Sequence, residues 1–501
     1  MKNRAIINFI SSLVYQFSNL LIGLIVPKFY TEIFGSVYNG LNQSVSQIMS
    51  LLSVLQFGIA AAAIQQMFKY IADNDTDTIR AIYWGAGKQY RKMGYIFIGV
   101  IIPIIILFPF VLKEDLSYWI IIAFLLFRTI SSAMEYFFQA KYSVILIANN
   151  KTYAIYVINT ALLIFSTVLH LTVLFTIKNI LVYQAVALVT TFVRLIIVST
   201  YVKHKFPYLY RKSDKKVELP KDNKRKDVLI SEIAGMVIDS TDMILLSTFS
   251  GLVYTSIYSV YKFVTSGLGN VLSSCREAVF AGLGKTYYED FQKFKNNFSS
   301  FESVYLFLVF FLYSTALILF RPFIEVYTAN MDAQYYYAGL PVLFIIARIS
   351  VNLRIPSIVA VNTAGHFKEV RNFAVIEAVL NLGTSLILVK PLGIYGVLIG
   401  TLVGSVYRTP VLIHYANKNI IKRKTFEYVK KVLLWIPFFI TAYLLSIFTP
   451  IKCTSLINWV LTALPVAVVV LIFALLWVLI VDRNTFKMLI VTVKRFLHKG
   501  R

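Results

Sequence analysis

Three carboxylates and three cations stand in this chain where apolar sequence surrounds them. Glu232, Asp239 and Asp242 lie in the run of residues 228–250, which is long and apolar enough to cross a roughly 30 Å hydrocarbon core as a helix. At 100° per residue they share one side with Gly235, so a polar stripe reaches about the bilayer midplane. A charged group at that depth costs roughly 2.5–3.5 kcal/mol on insertion scales and marks an ion or substrate path. The three acids are candidates for coupling a proton or cation, or for serving as counter-ions to buried bases; the structural alternative is pairing that merely holds neighbouring helices together. Arg128, Lys262 and Arg348 stand near the middle of other apolar runs, where cations have the chemistry to replace the hydration of a phosphate.

Neutral groups accompany them. Asn39, Gln43 and Gln47 recur every four residues, with Asn42, Ser46 and Ser50 on the adjoining row; amides so placed either hydrogen-bond a sugar-rich ligand or bond across to another helix. Tyr254, Tyr258 and Tyr261 recur at helical spacing beside Lys262, a row that serves either as core packing or as a platform for sugars.

The elements that must position these residues are set by composition. Of 501 residues 58% are hydrophobic and the mean hydropathy is +0.71, so the chain is an all-α polytopic membrane protein. The ten-residue alternation of a barrel is not seen. Fourteen apolar segments are predicted to span, and the first is expected to remain as a helix because Lys2 and Arg4 lead into a segment too long for a cleavable signal. A net charge of +25 is the mark of a nucleic-acid binder in a soluble protein. Here, with both termini in the cytoplasm, the Lys and Arg residues favour inner over outer loops by about six to one, which fixes orientation and attracts anionic lipid headgroups without any nucleic-acid partner. Cys275 and Cys453 fall toward opposite faces and the five histidines have no ligand spacing, so neither a metal site nor a cofactor is expected.

Residues 203–227 divide the chain. Between Lys203 and Lys226 stand ten Lys or Arg against three acids, with Pro207 and Pro220, the composition of a solvated cytoplasmic linker. It separates an N-lobe of helices 1–6 (residues 1–202) from a C-lobe of helices 7–12 (228–416), and residues 417–501 add helices 13 and 14 and a basic tail. The lobes echo each other at an offset of 216: Gly35, Val37 and Tyr38 match Gly251, Val253 and Tyr254, and Lys69 and Asp73 match Lys285 and Glu289. Six intervening helices preserve orientation, which predicts a parallel repeat with a cavity at its interface. The twins of Glu232, Asp239, Asp242 and Lys262 are Gln16, Gly23, Val26 and Ser46, all uncharged, so symmetry alone does not demand those charges. Helix 2 is expected over about 36–64, an interfacial segment up to Arg91 and Lys92, helices 3 and 4 over about 93–112 and 117–138, with Glu135 on the same face as Arg128, and Arg194 in helix 6. In the C-lobe, Arg354 and Arg408 are expected toward the cytoplasm and Glu377 in helix 11.

Several stretches resemble the bacterial polysaccharide-transporter family, the oligosaccharide and O-antigen flippases of the multidrug/oligosaccharidyl-lipid/polysaccharide exporter superfamily. They are Phe34-Gly35 with Tyr38-Asn39-Gly40-Leu41-Asn42, then Leu55-Gln56-Phe57-Gly58-Ile59, Ile71-Ala72 to Asp75, Asp242 to Gly251, and above all Glu377 to Thr401 with Asn381, Ser385, Gly393, Gly396 and Gly400. The resemblance covers essentially the whole chain. It implies a two-lobed alternating-access flippase, not an enzyme, that moves an undecaprenyl-diphosphate-linked oligosaccharide across the bacterial cytoplasmic membrane, working beside glycosyltransferases and a polysaccharide polymerase. It assigns no binding residue, so the candidates above rest on depth and helical face. A cation-coupled multidrug extruder of the same superfamily is the alternative; it calls for an acidic cavity poor in bases. No phosphate-binding GxxxxGK[ST] loop is present, and every predicted outer loop is too short for a catalytic domain.

Overall fold

In the computed structural model, residues 2–114, 116–211, 223–449, 451–483 and 486 are described. Residues 212–222 of the predicted basic linker and the basic tail from 487 onward lie outside them. Among the described residues every regular element is helical. The helices are α1 (Lys2–Phe34), α2 (Ser36–Leu52), α3 (Ile59–Ala72), α4 (Thr76–Val111), α5 (Tyr118–Met134), α6 (Ala140–Ala148), α7 (Thr152–Thr172), α8 (Ile180–Lys205) and α9 (Asn223–Phe249). There follow α10 (Leu252–Glu289), α11 (Phe291–Tyr327), α12 (Leu340–Asn352), α13 (Ile355–Ala364), α14 (Phe367–Leu392), α15 (Ile394–Tyr415), α16 (Thr425–Leu433), α17 (Ile436–Phe448) and α18 (Leu456–Val481). Among the described residues twelve helical segments are long and apolar enough to cross a membrane, and the protein is a multi-pass membrane protein. The count of fourteen differs by α9 and α10, which are long enough but carry the polar residues that made them conspicuous in the sequence.

Two compact units result, Met1–Ser256 and Ile257–Arg501. The division falls inside α10 and not in the basic segment 203–227, because α9 packs on α2 within the first unit. The repeat is written in the turns. Gly35 and Gly251 have φ of 92° and 117° and each immediately precedes a helix. Asn150 and Gly365, and Lys178 and Gly393, are pairs 215 residues apart that adopt positive φ at corresponding corners. Asp75 and Asp290 cap the third helix of each half, accepting the amides of Thr78 and Lys293 at 2.9 Å, an interaction typically worth about 1 kcal/mol.

Several spans differ from the expected ones. The interfacial segment before Arg91 is not separate: it is the first half of α4, a continuous helix of 36 residues. Helix 2 is broken at Phe57-Gly58, where Gly58 is left-handed, and resumes as α3. Helix 4 does not stop near 138 but passes through one π-helical turn, Glu135–Gln139, to Ala148. Interrupted helices free backbone carbonyls that lipid cannot satisfy, and here aromatic side chains take them up. Tyr136 donates its hydroxyl to the Leu52 carbonyl at 2.9 Å at the α2 break. Tyr428 does the same for Leu353 between α12 and α13, and the Trp477 indole for Leu434 between α16 and α17 at 3.0 Å.

The tightest packing joins α14 and α15. A Cβ on Gly400 would lie 2.0 Å from Ser385 Oγ and 2.8 Å from the Asn381 carbonyl, and one on Gly396 would lie 2.2 Å from the Leu388 carbonyl, so the small-residue row lets the two backbones touch. Gly400→Val is expected to cost at least about 1–3 kcal/mol through overpacking, read as a lowered melting temperature in detergent. Gly383→Ala, where nothing lies within 4 Å of the new Cβ, should leave melting unchanged.

Candidate functional site

In the first unit the helical phase of α2 decides which amides meet the cation of α5. Asn42 Oδ1 accepts from Arg128 Nη2 at 3.0 Å and from Gln184 Nε2 of α8 at 3.3 Å. Tyr30 and Tyr183, whose rings stand 4.8 Å apart, are the electrostatic neighbours of the guanidinium, and His170 packs on Tyr183 at 4.3 Å. Arg128 is half-buried, its Nε is shut off from solvent without a hydrogen-bond partner, and no described carboxylate pairs with it. Glu135, two turns further along at the start of the π-turn, neighbours Tyr90 and Tyr136. The arrangement is a guanidinium within a membrane span held only by neutral oxygen and aromatic groups, with donors to offer an anion.

The row Asn39, Gln43 and Gln47 splits. Asn39 is 2% exposed and donates to Ser256 Oγ at 2.7 Å, where Gly40 allows α2 to touch the backbone of Leu252; it holds helices together. Gln43 and Gln47 are half-buried. Glu232 and Asp239 are exposed on α9, whereas Asp242 is buried. Tyr254 keeps 40% of its surface exposed. At the start of α10, Glu114 from the loop after α4 accepts the Leu252 amide.

Within the second unit the remaining tyrosines are packed away. Tyr258 lies 4.9 Å from Phe344, Tyr261 stacks on Phe320 and Phe344 at 5.2 Å, and the Tyr261 hydroxyl donates to the Tyr335 carbonyl at 3.0 Å. Both are buried and, in this arrangement, present no ring face to a sugar. Lys262 and Arg348 are half-buried. Beside Arg348, whose carbonyl accepts from Asn352, the hydroxyls of Tyr305 and Tyr313 bond the Asn352 amide at 2.8 and 3.2 Å.

Two buried ion clusters were not legible in the sequence. Glu377 of α14 accepts from Arg354 at 2.6 Å and from Arg408 of α15 at 2.7 Å, and it is 2% exposed. These two bases thus share one buried carboxylate as their internal partner. Glu302 of α11 likewise pairs with Arg423 and with Lys431, the latter at 2.9 Å. Matching the depth of Glu377 with those of Arg354 and Arg408 was the available signal. Both cysteines are free, and among the described residues no cluster of metal-ligating side chains occurs.

Neither a family model nor a curated protein matches the sequence. Among solved structures, the lipid II flippase MurJ in its inward closed conformation is similar over 93% of this chain and 98% of its own, with a TM-score of 0.64 at 13% identity. The MATE multidrug transporter DinF-BH is similar over 84% of this chain and 96% of its own, with a TM-score of 0.62 at 12% identity. A MOP-superfamily transporter from Pyrococcus furiosus, described by the reverse polarity of its binding pocket, reaches 0.57 at 13% identity over 84% of this chain and 97% of its own. The chain thus has the fold of these transporters.

Breaking a buried ion cluster by removing one partner is expected to cost about 3–5 kcal/mol. Glu377→Gln should therefore lower the melting temperature markedly in detergent. Glu377→Leu combined with Arg354→Met and Arg408→Met should recover much of the loss, whereas equal melting of the single variant and the parent chain would contradict the clamp.

Proposed function

We propose that this chain is a flippase that carries an undecaprenyl-diphosphate-linked oligosaccharide from the inner to the outer leaflet of a bacterial cytoplasmic membrane by alternating access of two six-helix lobes, with both termini in the cytoplasm. The observation that carries this reading is Arg128: a guanidinium within an apolar span, bonded to Asn42 and facing Tyr30 and Tyr183, with no described carboxylate to neutralise it. Such a charge is costly in hydrocarbon, and an anionic ligand repays that cost by accepting its donors. A diphosphate supplies about two negative charges. Arg128 takes the diphosphate and Gln43, Gln47 and the exposed Tyr254 of the same unit meet the sugars; Lys262 and Arg348 are the candidate anion-binding cations of the second unit. Asn39, Tyr258 and Tyr261 hold helices in place in the arrangement seen here.

Export of about two negative charges from a negative-inside cell is favourable by roughly 4–5 kcal/mol at 100 mV, which drives net outward movement without nucleotide hydrolysis. Support from outside the chain comes from the fold shared with MurJ, which is named a lipid II flippase. The polymer served is capsule, exopolysaccharide, O-antigen or teichoic acid, with glycosyltransferases and a polymerase as the partners that make and consume the repeat unit. The exposed acids Glu232 and Asp239 with buried Asp242 favour a second reading, a cation-coupled multidrug extruder, and the fold is also that of the MATE multidrug transporter DinF-BH.

In proteoliposomes with an imposed inside-negative potential, the protein should translocate an undecaprenyl-diphosphate-linked glycan. Arg128→Gln should weaken glycan binding about 10- to 100-fold, the loss of a charged hydrogen-bonding group, and Lys262→Gln or Arg348→Gln should abolish export while leaving membrane insertion intact. Proton- or sodium-driven efflux of a cationic dye, with no glycan movement, would establish the extruder instead.

A further inference from the structure

The helices that bracket Arg128 are longer than a bilayer. At about 1.5 Å per residue the 36 residues of α4 extend about 54 Å, and the continuous stretch Tyr118–Ala148 of 31 residues about 46 Å, against about 30 Å of hydrocarbon. The two are joined at their outer ends by the short segment 112–117. About 20 residues inward from that segment the hydrocarbon ends near residue 92 on α4 and near residue 138 on the partner stretch. Arg91 and Lys141 stand at this boundary.

Their surroundings are unusual for two bases. The Lys141 stem lies against α4 where Gly87 leaves room, so that a Cβ there would come 3.2 Å from Lys141 Cδ. Its ammonium lies 4.2 Å from the ring centre of Trp84, 5.5 Å from Tyr83 and 5.4 Å from Tyr142. Arg91, exposed on the same helix as Trp84, is its charged neighbour. No described carboxylate forms an ion pair with either base. A wall is added by the start of the basic segment: Trp84 Nε1 donates to the Leu209 carbonyl at 2.9 Å, Arg80 to that of Tyr208 at 3.4 Å, and the Tyr210 ring stands edge-on to Trp84 at 6.2 Å. Leu209 is fully buried in the core of this end of the unit, which anchors the wall.

We propose that Arg91 and Lys141, backed by Tyr83, Trp84 and Tyr142, hold the phosphate of an anionic lipid at the inner boundary of the membrane. Two like charges in one neighbourhood repel, and aromatic faces supply only a partial compensating charge; a phosphate diester beside the bases completes the balance. Basic pockets between helices on the cytoplasmic side are suited to such headgroups. Trp84, 38% exposed, and Tyr95, 68% exposed, place amphipathic rings at headgroup level. Which leaflet this is rests on the orientation proposed above; the site itself does not depend on what is transported. A phospholipid and the diphosphate of a lipid-linked glycan offer the same chemistry.

The test is lipid retention by the full-length protein in detergent, followed by native mass spectrometry during titration with phosphatidylglycerol, phosphatidylcholine or undecaprenyl diphosphate. Phosphatidylglycerol should bind in preference to phosphatidylcholine. Arg91→Gln with Lys141→Gln should weaken that binding about 25-fold, near fivefold for each base removed, with an unchanged size-exclusion profile. Lys141→Arg should retain binding and Lys113→Gln, an exposed base beyond the other end of α4, should have no effect. Loss confined to phosphatidylglycerol makes this a phospholipid site, and a parallel loss for undecaprenyl diphosphate makes it a docking point for the glycan carrier too. Undiminished binding of both lipids by the double variant would overturn the proposal. A protein that moves no glycan yet loses phosphatidylglycerol in the double variant would defeat only the flippase reading.

Discussion

A positive charge inside a bilayer must be met by something, and how each cation of this chain is met organises the rest of its structure. Arg354 and Arg408 share Glu377, and Arg423 and Lys431 share Glu302. Each carboxylate is almost wholly enclosed and two bases satisfy it, so these clusters act as fixed pins between the cap of α13 and helices α14 and α15, and between α11, the segment before α16 and the last turn of α16. Arg128 and Lys141 are met differently, by an amide oxygen and by aromatic faces. Neutral partners lower the cost of the charge without cancelling it, and the difference between pinned and unpinned cations separates architecture from candidate recognition.

The same scarcity of water governs the backbone. Transmembrane bundles tolerate interrupted helices only where freed carbonyls find protein donors, and this chain supplies them with aromatic side chains that are apolar enough to live there and carry one polar atom. Tyr136, Tyr428 and Trp477 each reach a carbonyl at a helix break. Where no break occurs, closeness comes from glycine, as on the face of α15 that receives Ser385 and Asn381. Hydroxyl and amide side chains then bond across or back onto their own helices, as Asn381 does to Thr401 at 3.1 Å.

Much of the fold was readable because it depends on local or periodic properties. Apolar runs of sufficient length marked nearly every span, and the Gly35 and Gly251 pair marked the repeat because left-handed corners require glycine. Less was readable in the candidate site, since that depends on which faces meet. Depth singled out Arg128, yet its partner came from the Asn42 row and not from Asn39, a difference of less than one turn that no periodicity resolves. Gln184, one amide in an apolar run, gave no signal by itself. Glu377 was noticed, but a pairing across 23 and 31 residues emerges only when α13, α14 and α15 are brought together.

The break at Phe57-Gly58 has no counterpart in the second half, where α10 runs 38 residues without interruption. A rod and a jointed rod respond unequally to the same bending moment: compliance concentrates where the ladder of amide bonds is severed, while the intact helix transmits torque along its length. Mechanical symmetry is thus broken by two residues, and any flexing of the second helical column of this repeat is directed to its hinge in the first copy.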